Sequence, residues 1–389
     1  MKIIFFANTD WYLYNFRRSL ALAAQASGYE VLLVSPSGAY GDRLRGLGLR
    51  WQPLAGMDRR SLNPARELQL LASLVRLFRR ERPALMHGFT IKCAVYGSLA
   101  AQLAGVPARV NAVAGLGYVF ASNDRKARCL RPMVRAMLRL AMRGRRTRLI
   151  LQNPDDQMMF RQSGLIGADR IDLIPGSGVD CTRFTPRANA GDARKPQPSV
   201  LLAARLLWDK GVAEYVEAAR QLRAAGRCIR FLLAGTPDRG NPAAVPEATL
   251  RQWVEEGVIE WLGHVDDTSE LFRSVDIVAL PTYYREGLPK SLIEAAACAR
   301  PLITTDMPGC REVVTNEVDG LLIPPHDAAA LARAIARLVD APELAARLGT
   351  AARAKALANF DERLVIERTL AVYRELLQPE RVVHAAAVD

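Results

Sequence analysis

Short apolar runs recur along the chain, and the stretches between them carry apolar residues at helical spacing. In the first half the runs predict strands at 2–7, 29–34, 84–87, 108–113, 148–152 and 171–174. The intervening 3.6-residue periodicity predicts helices at 15–26, 64–81, 92–104, 130–143 and 154–163. The second half repeats the scheme. Strands are expected at 199–204, 230–235, 258–262, 276–280, 301–305 and 320–323, and helices at 211–225, 268–274, 289–299, 327–339, 343–358 and 362–377. Continuous apolar strands alternating with helices imply parallel sheets covered on both faces. Pro175-Gly-Ser-Gly-Val-Asp180 and the polar stretch up to Pro198 interrupt this pattern. They mark a boundary between an α/β domain over 1–180 and another over 190–361. Two such domains facing each other leave a cleft, a common place for a ligand.

The richest segment is Tyr284-Arg-Glu-Gly-Leu-Pro-Lys-Ser-Leu-Ile-Glu-Ala295. It follows the apolar run Asp276-Ile-Val-Ala-Leu-Pro281, so it lies beyond the carboxyl end of a strand, where open α/β sheets bind ligands. Gly287, Pro289 and Ser291 read as a loop turning into a helix. Pro289 suits the first helical position, because its φ is helical and its missing N–H has no partner there anyway. Free N–H groups at such a start attract phosphate. Glu286 precedes the helix, and Glu294 lies inside it, roughly 7 Å along the axis from Pro289 at ~1.5 Å per residue. A nucleotide-sugar has matching parts: sugar hydroxyls, a diphosphate, and ribose hydroxyls. Two glutamates at this spacing also occur on solvated helices.

A basic pair accompanies this segment. Ser199-Val-Leu-Leu-Ala-Ala-Arg205 reads as a strand ending in arginine, and Lys210-Gly211 leads into the next helix. Cations there would steady a departing diphosphate as its charge grows. Read alone, they are equally ordinary surface cations.

Together, Arg205…Lys210-Gly211, Gly235, Glu286-Gly-Leu-Pro…Glu294, Ile174-Pro175…Gly178-Val179-Asp180…Phe184 and Asp319-Gly320-Leu-Leu-Ile-Pro resemble the retaining glycosyltransferases of family 4. The resemblance covers most of 171–330. It implies the GT-B fold: two Rossmann-like domains with parallel sheets facing across a cleft, and the nucleotide mainly on the C-terminal one. It further implies that Glu294 binds ribose hydroxyls. Glu286, with the neighbouring Gly287, Leu288, Pro289, Lys290 and Ser291, is implied to bind the donor, and Arg205 and Lys210 its diphosphate. A last helix, with the tail from about 362 to 389, is expected to cross back to the N-terminal domain. No metal and no cofactor beyond the nucleotide-sugar co-substrate is expected. Asp155-Asp156 and Asp266-Asp267 then read as surface or capping residues.

Three N-terminal segments resemble a subgroup that extends undecaprenyl-diphosphate-linked sugars in bacterial O-antigen, capsule or glycan assembly, notably α-1,3-N-acetylgalactosaminyltransferases. They are Phe16-Arg17, Phe89-Thr-Ile-Lys92 with Tyr96-Gly97, and Gly115-Leu-Gly117-Tyr-Val-Phe120. Arg17 and Lys92 are candidates for an acceptor diphosphate. Gly115 and Gly117 would let backbone approach a sugar; the structural alternative is that they only make a turn. Many family members place a histidine after the strand equivalent to 108–113, where this chain has Ala114-Gly115. His87 is the nearby candidate, although a lone histidine is usually structural. Retaining chemistry needs no protein base if the leaving phosphate oxygen takes the acceptor's proton.

Charge separates the halves. Residues 1–190 hold 29 Lys and Arg against 12 Asp and Glu, while 191–389 hold 24 against 28. The excess peaks over 125–148, with ten cations and no acid. There Arg131, Arg135, Arg139 and Arg143 form a stripe, opposite Leu130, Met133, Val134, Met137, Leu140 and Ala141. The expectation is an apolar side packed on the domain and arginines turned to anionic lipid. No run reaches the ~18 apolar residues of a membrane span, the start lacks a signal-peptide pattern, and six scattered cysteines form no CxxC pair. A cytoplasmic protein at the inner face of the membrane is expected. A GDP-mannose-dependent lipid mannosyltransferase is the alternative. A nucleic-acid-binding protein lacks a motif and interleaved aromatics here, and a nucleotide-sugar epimerase would need no apolar acceptor surface.

Overall fold

In the computed structural model, residues 1–58, 63–113, 125–187, 197–238 and 240–378 are described, without the side chains of 125–127, 129 and 130. The chain divides into two compact units. The first comprises Met1–Leu151, Gln157–Ile174 and the chain from Ile366, and the second comprises Gln152–Asp156 and Pro175–Val365.

The first unit runs β1 (Lys2–Phe6), a turn at Asp10–Tyr12, a π-helical segment at Leu13–Arg17, α1 (Arg18–Ala26), β2 (Glu30–Ser35), α2 (Gly41–Gly46) and β3 (Arg50–Pro53). It continues with α3 (Pro64–Glu81), β4 (Leu85–Phe89), α4 (Ile91–Ala104), β5 (Ala108–Ala112), α5 (Arg125–Ala141), β6 (Thr147–Leu151), α6 (Pro154–Ser163) and β7 (Ile171–Leu173). The second unit holds β8 (Ser199–Ala203), α7 (Val212–Ala224), β9 (Arg230–Ala234), α8 (Glu247–Glu255), β10 (Glu260–Gly263), α9 (Thr268–Ser274), β11 (Ile277–Leu280) and α10 (Lys290–Ala297). Then come β12 (Leu302–Thr305), α11 (Cys310–Val313), β13 (Leu321–Ile323), α12 (Ala328–Asp340) and α13 (Pro342–Lys355); the last helix, α14 (Glu362–Leu377), belongs to the first unit from Ile366 onward.

All strands pair in parallel. The first sheet has the order β3-β2-β1-β4-β5-β6-β7 and the second β10-β9-β8-β11-β12-β13. Each order reverses once, between β1 and β4 and between β8 and β11. Loops leaving those two strands part company there, and the gap they leave admits a ligand. Alternate residues of one strand serve opposite layers. Val200 and Leu202 join the core under α7 and α12, whereas Leu201 joins the core under α10.

Three expectations need correction. The edge strand β3 was not visible, because Arg50-Trp51-Gln52-Pro53 shows no apolar alternation; pairing with β2 creates it. Likewise α8 buries only Leu250 and Trp253, too few to stand out. The basic helix begins at Arg125, so Pro132 lies in its interior. Its packed side is Val134, Met137, Leu138, Ala141 and Met142, while Met133 and Leu140 are 51% and 42% exposed beside Arg128, Arg135, Arg139 and Arg143. No helix among the described residues is long and apolar enough to cross a membrane.

Two details hold strands and helices at the reversal points. Gly211 has φ +76, and a Cβ there would lie 2.1 Å from the Pro281 carbonyl oxygen. A Gly211→Ala variant is expected to lose at least about 1–2 kcal/mol in denaturant unfolding, from left-handed strain alone. In the first unit, Nδ1 of His87 on β4 shares a 2.5 Å hydrogen bond with the Tyr373 hydroxyl of α14, and both side chains are buried. Burial, then the nearby Arg17 charge, holds His87 well below its usual 6.5. The fold therefore requires neutral His87. Its contribution is complete above pH 6.5 and is lost as pH falls below that value, at up to about 1.4 kcal/mol per pH unit. Unfolding midpoints between pH 7 and 5 should fall less steeply in His87→Gln than in the wild type.

Candidate active site

The second unit gathers several of the candidate side chains at the β8/β11 reversal. The chain leaves β8 through Arg205, and a tight turn at Trp208–Lys210 precedes Gly211 and α7. The Asp209 carbonyl stitches this turn to the loop after β11. It accepts the N–H groups of Tyr283 (3.0 Å) and Tyr284 (3.2 Å) and the Thr282 hydroxyl (2.9 Å). The result places Lys210 against the Glu286 carboxylate in a direct ion pair, with both side chains largely buried. The ammonium also sits 5.2 Å from the Tyr284 ring centroid, and the Thr282 hydroxyl lies 3.4 Å from Glu286. Neither charge tolerates such burial alone; each supplies the other's partner.

Pro289 is not the first helical residue. Its ψ of 112° makes it the N-cap of α10, and helix begins at Lys290. The Pro289 carbonyl takes the N–H groups of Leu292 and Ile293, so the amides ahead of them face out of the helix start. Gly287 and Pro289 are buried, and Leu288 and Ser291 half-buried. One and a half turns into the helix, Glu294 is 9% exposed. Burial raises its pKa against the lowering influence of Lys290 and of Thr268. Lys290 Nζ is 3.9 Å away, and the Thr268 hydroxyl 3.4 Å. Glu294 is thus a buried carboxylate with weak partners, poised to accept hydroxyl donors. Arg205 stands apart from the Lys210–Glu286 pair. Its side chain is 52% exposed and bonds Asp238 at 3.1 Å.

In the first unit, the loops after β1 and β4 assemble a different cluster. Arg17 closes the π-helical segment with 5% exposure. Its guanidinium lies 4.5 Å from the Phe89 ring centroid, and Nη2 donates to the Tyr12 hydroxyl at 2.9 Å. Its Nε, like His87 Nε2, is buried with no hydrogen-bond partner among the described residues. The His87 ring lies against the same Phe89, 4.0 Å between centroids and tilted by 35°. Lys92 does not join this cluster. It pairs with Glu67 at 2.7 Å and donates to the Asp58 carbonyl, also at 2.7 Å. Gly115 and Gly117 lie outside the described residues.

Several contributors were missed in the sequence. Asp156, expected at the surface or in a cap, is 1% exposed and bonds Arg285. Asn153 donates to the backbone carbonyls of Glu286 and Gly287. Gly309, at φ +86, approaches the same carbonyls so closely that a Cβ would lie 2.8 and 2.7 Å from them. Its N–H is capped by Glu312 at 2.6 Å. The helix after Asn153 was expected over 154–163, whereas α11 at Cys310–Val313 was not; the neighbours of both in space were not legible.

Comparison with known proteins agrees with this geometry. Residues 2–153 match the family described as glycosyl transferase 4-like, and residues 197–341 match glycosyl transferases group 1. The chain is 28% identical, over 97% of its length and all of the relative, to N,N'-diacetylbacillosaminyl-diphospho-undecaprenol α-1,3-N-acetylgalactosaminyltransferase of Campylobacter jejuni. It is 27% identical to an Escherichia coli UDP-Gal:α-D-GlcNAc-diphosphoundecaprenol α-1,3-galactosyltransferase, over 72% of this chain and 73% of that one. Among solved structures, Anabaena HepE in complex with UDP-glucose superposes with a TM-score of 0.76 at 20% identity, covering 96% of this chain and all of that one. Sucrose-phosphate synthase of Thermosynechococcus elongatus gives 0.78 at 21%, covering 97% and 99%. With a 4-like first half, a group 1 second half and two parallel sheets of the GT-B type, the chain belongs to the family 4 glycosyltransferases.

Proposed function

We propose that this glycosyltransferase moves a sugar, an N-acetylhexosamine such as GalNAc, from a UDP-sugar to a polyprenyl-diphosphate-linked sugar, with retention and without a metal, in bacterial surface-glycan assembly. The observation that carries the reading is the buried Lys210–Glu286 pair at the head of a helix whose inner carboxylate, Glu294, keeps only weak partners. The full-length likeness to the Campylobacter jejuni enzyme supports the substrate class.

In this reading Glu294 accepts the ribose hydroxyls, and Glu286 accepts hydroxyls of the donor sugar. Lys210, already desolvated, faces the diphosphate as negative charge builds on it, with Arg205 swinging from Asp238 to help. The bond from the anomeric carbon to the phosphate oxygen breaks. The acceptor hydroxyl attacks on the same face and passes its proton to that departing oxygen. His87, neutral and tied to Tyr373, takes no proton in this scheme. Arg17 is assigned to the acceptor diphosphate, being a buried cation with an unfilled Nε. Lys92, engaged by Glu67, steadies its loop instead.

Glu286→Gln and Glu294→Gln test the donor site. Each loses a charge-assisted hydrogen bond of about 2–3 kcal/mol, so kcat/KM for UDP-GalNAc with a polyprenyl-diphosphate-sugar acceptor should fall roughly a hundredfold. Turnover unchanged in both would sink the assignment. Glu294→Gln should also unfold no earlier than wild type at pH 8 without ligand. A raised carboxyl pKa contributes stability below its ordinary value and loses it as pH rises, and the amide removes that loss.

The exposed side of α5, with Arg128, Arg135 and Arg139 near Met133 and Leu140, together with Arg143 just past its end, is proposed as a seat on anionic lipid at the inner face of the cytoplasmic membrane. At about 1 kcal/mol per cation near the surface, Arg135→Glu, Arg139→Glu and Arg143→Glu together should abolish co-sedimentation with phosphatidylglycerol vesicles. Equal recovery with neutral vesicles, or an undiminished triple variant, would count against it.

A further inference from the structure

Four consecutive residues that precede and open α6 grip the donor loop at three points. Asn153 is fully buried, directly ahead of Pro154. Its Oδ1 accepts the Asp156 N–H at 2.8 Å, the ordinary bond of a helix N-cap. That bond fixes the amide's orientation, because an acceptor must face an N–H. The Nδ2 group therefore points the other way. It donates to the Glu286 carbonyl at 3.1 Å, the Gly287 carbonyl at 3.0 Å and the Asp156 carboxylate at 3.1 Å. Asp156 in turn holds Arg285, the residue before Glu286, at 3.3 Å. Asp155 holds Arg311, at 3.3 Å, beside the turn in which Gly309 lies against the same two carbonyls.

A planar trans peptide sets its C=O and N–H on opposite sides. Turning the carbonyls of Glu286 and Gly287 toward Asn153 turns the N–H groups of Gly287 and Leu288 away from it. Neither N–H has a hydrogen-bond acceptor among the described residues. Two successive unfilled N–H groups, next in the chain to the Glu286 that pairs with Lys210 and just ahead of the α10 start, suit an oxyanion. Glycine at 287 keeps one of them unshielded by a side chain.

We propose that Asn153 is a positioning residue for the donor: it clamps the Glu286–Gly287 peptides so that their far-side amides face the diphosphate of the nucleotide-sugar. This rests on the donor-site reading above. Asn153 touches no substrate and acts through the loop.

The helix cap and the clamp use opposite ends of one side chain, so substitution separates them. Asn153→Ser keeps an oxygen for the Asp156 N–H but is too short to reach the carbonyls. Asn153→Asp keeps the cap and the shape but turns an acceptor toward three acceptors. Asn153→Ala loses both functions. UDP-GalNAc, UDP and uridine serve as probes, with calorimetric affinity, steady-state KM and kcat, and thermal unfolding as readouts. The serine variant should lose less stability than the alanine variant, because it keeps the cap, yet bind UDP-GalNAc and UDP roughly tenfold more weakly, with KM raised. The aspartate variant should bind them more weakly still, and uridine, held through Glu294, should bind all forms alike. If the alanine variant loses stability while donor affinity stays within about twofold of wild type in all three variants, Asn153 is a helix cap and the proposal is wrong. Wild-type protein that binds neither UDP nor UDP-GalNAc would overturn the donor reading itself, and the clamp with it.

Discussion

Everything in the second unit's site depends on bringing Lys210 and Glu286 together out of water. Removing one partner of a buried pair costs about 3–5 kcal/mol, so the fold must deliver both charges to one place reliably. It does so with backbone. The Asp209 carbonyl takes three donors from Thr282, Tyr283 and Tyr284, locking the turn after β8 to the loop after β11. Gly211 makes the contact close enough, since any Cβ there would strike the Pro281 carbonyl. Strand order supplies the site's location, and these short-range bonds supply its precision.

The same economy of parts governs the Glu286–Gly287 loop. It is bracketed by a glycine without a side chain at 309 and by an asparagine amide at 153, both meeting the same pair of carbonyls. Glu294 shows the cost of function. A carboxyl buried with a lysine 3.9 Å away and a hydroxyl at 3.4 Å is poorly satisfied, and burial pushes its pKa upward. Such a group is a liability in the empty protein, and the proposed ribose contact would supply the hydroxyl donors it lacks.

The first unit repeats the arrangement with different chemistry. Arg17, His87, Phe89 and Tyr373 cluster at the β1/β4 reversal, where aromatic faces rather than acids surround the buried cation. Lys92, a few residues further along the chain, is paired with Glu67 instead of joining this cluster. On the outside of α5, two apolar side chains sit among arginines because the helix's packed stripe is centred on Leu138 and Ala141 rather than on Met133 and Leu140.

The amino-acid sequence by itself determined the parallel α/β architecture, because apolar runs and helical periodicity are local signals that each element carries alone. It also singled out Glu286 and Glu294 as candidates, since a turn, a proline and a helix start lie within one short segment, and Arg205 and Lys210 as cations after a strand; of these the structure pairs Lys210 with Glu286 and Arg205 with Asp238. Other features came only with the tertiary structure. Edge strand β3 exists through pairing with β2, and α8 through two buried residues. Pro289 caps α10 rather than opening it, because its ψ is set by the loop before it. The salt bridge between Lys210 and Glu286 spans 76 positions, and the bond from Asn153 to Gly287 spans 134. Contacts of that range depend on strand order and on how closely backbones pack, and neither is written in any local pattern of residues.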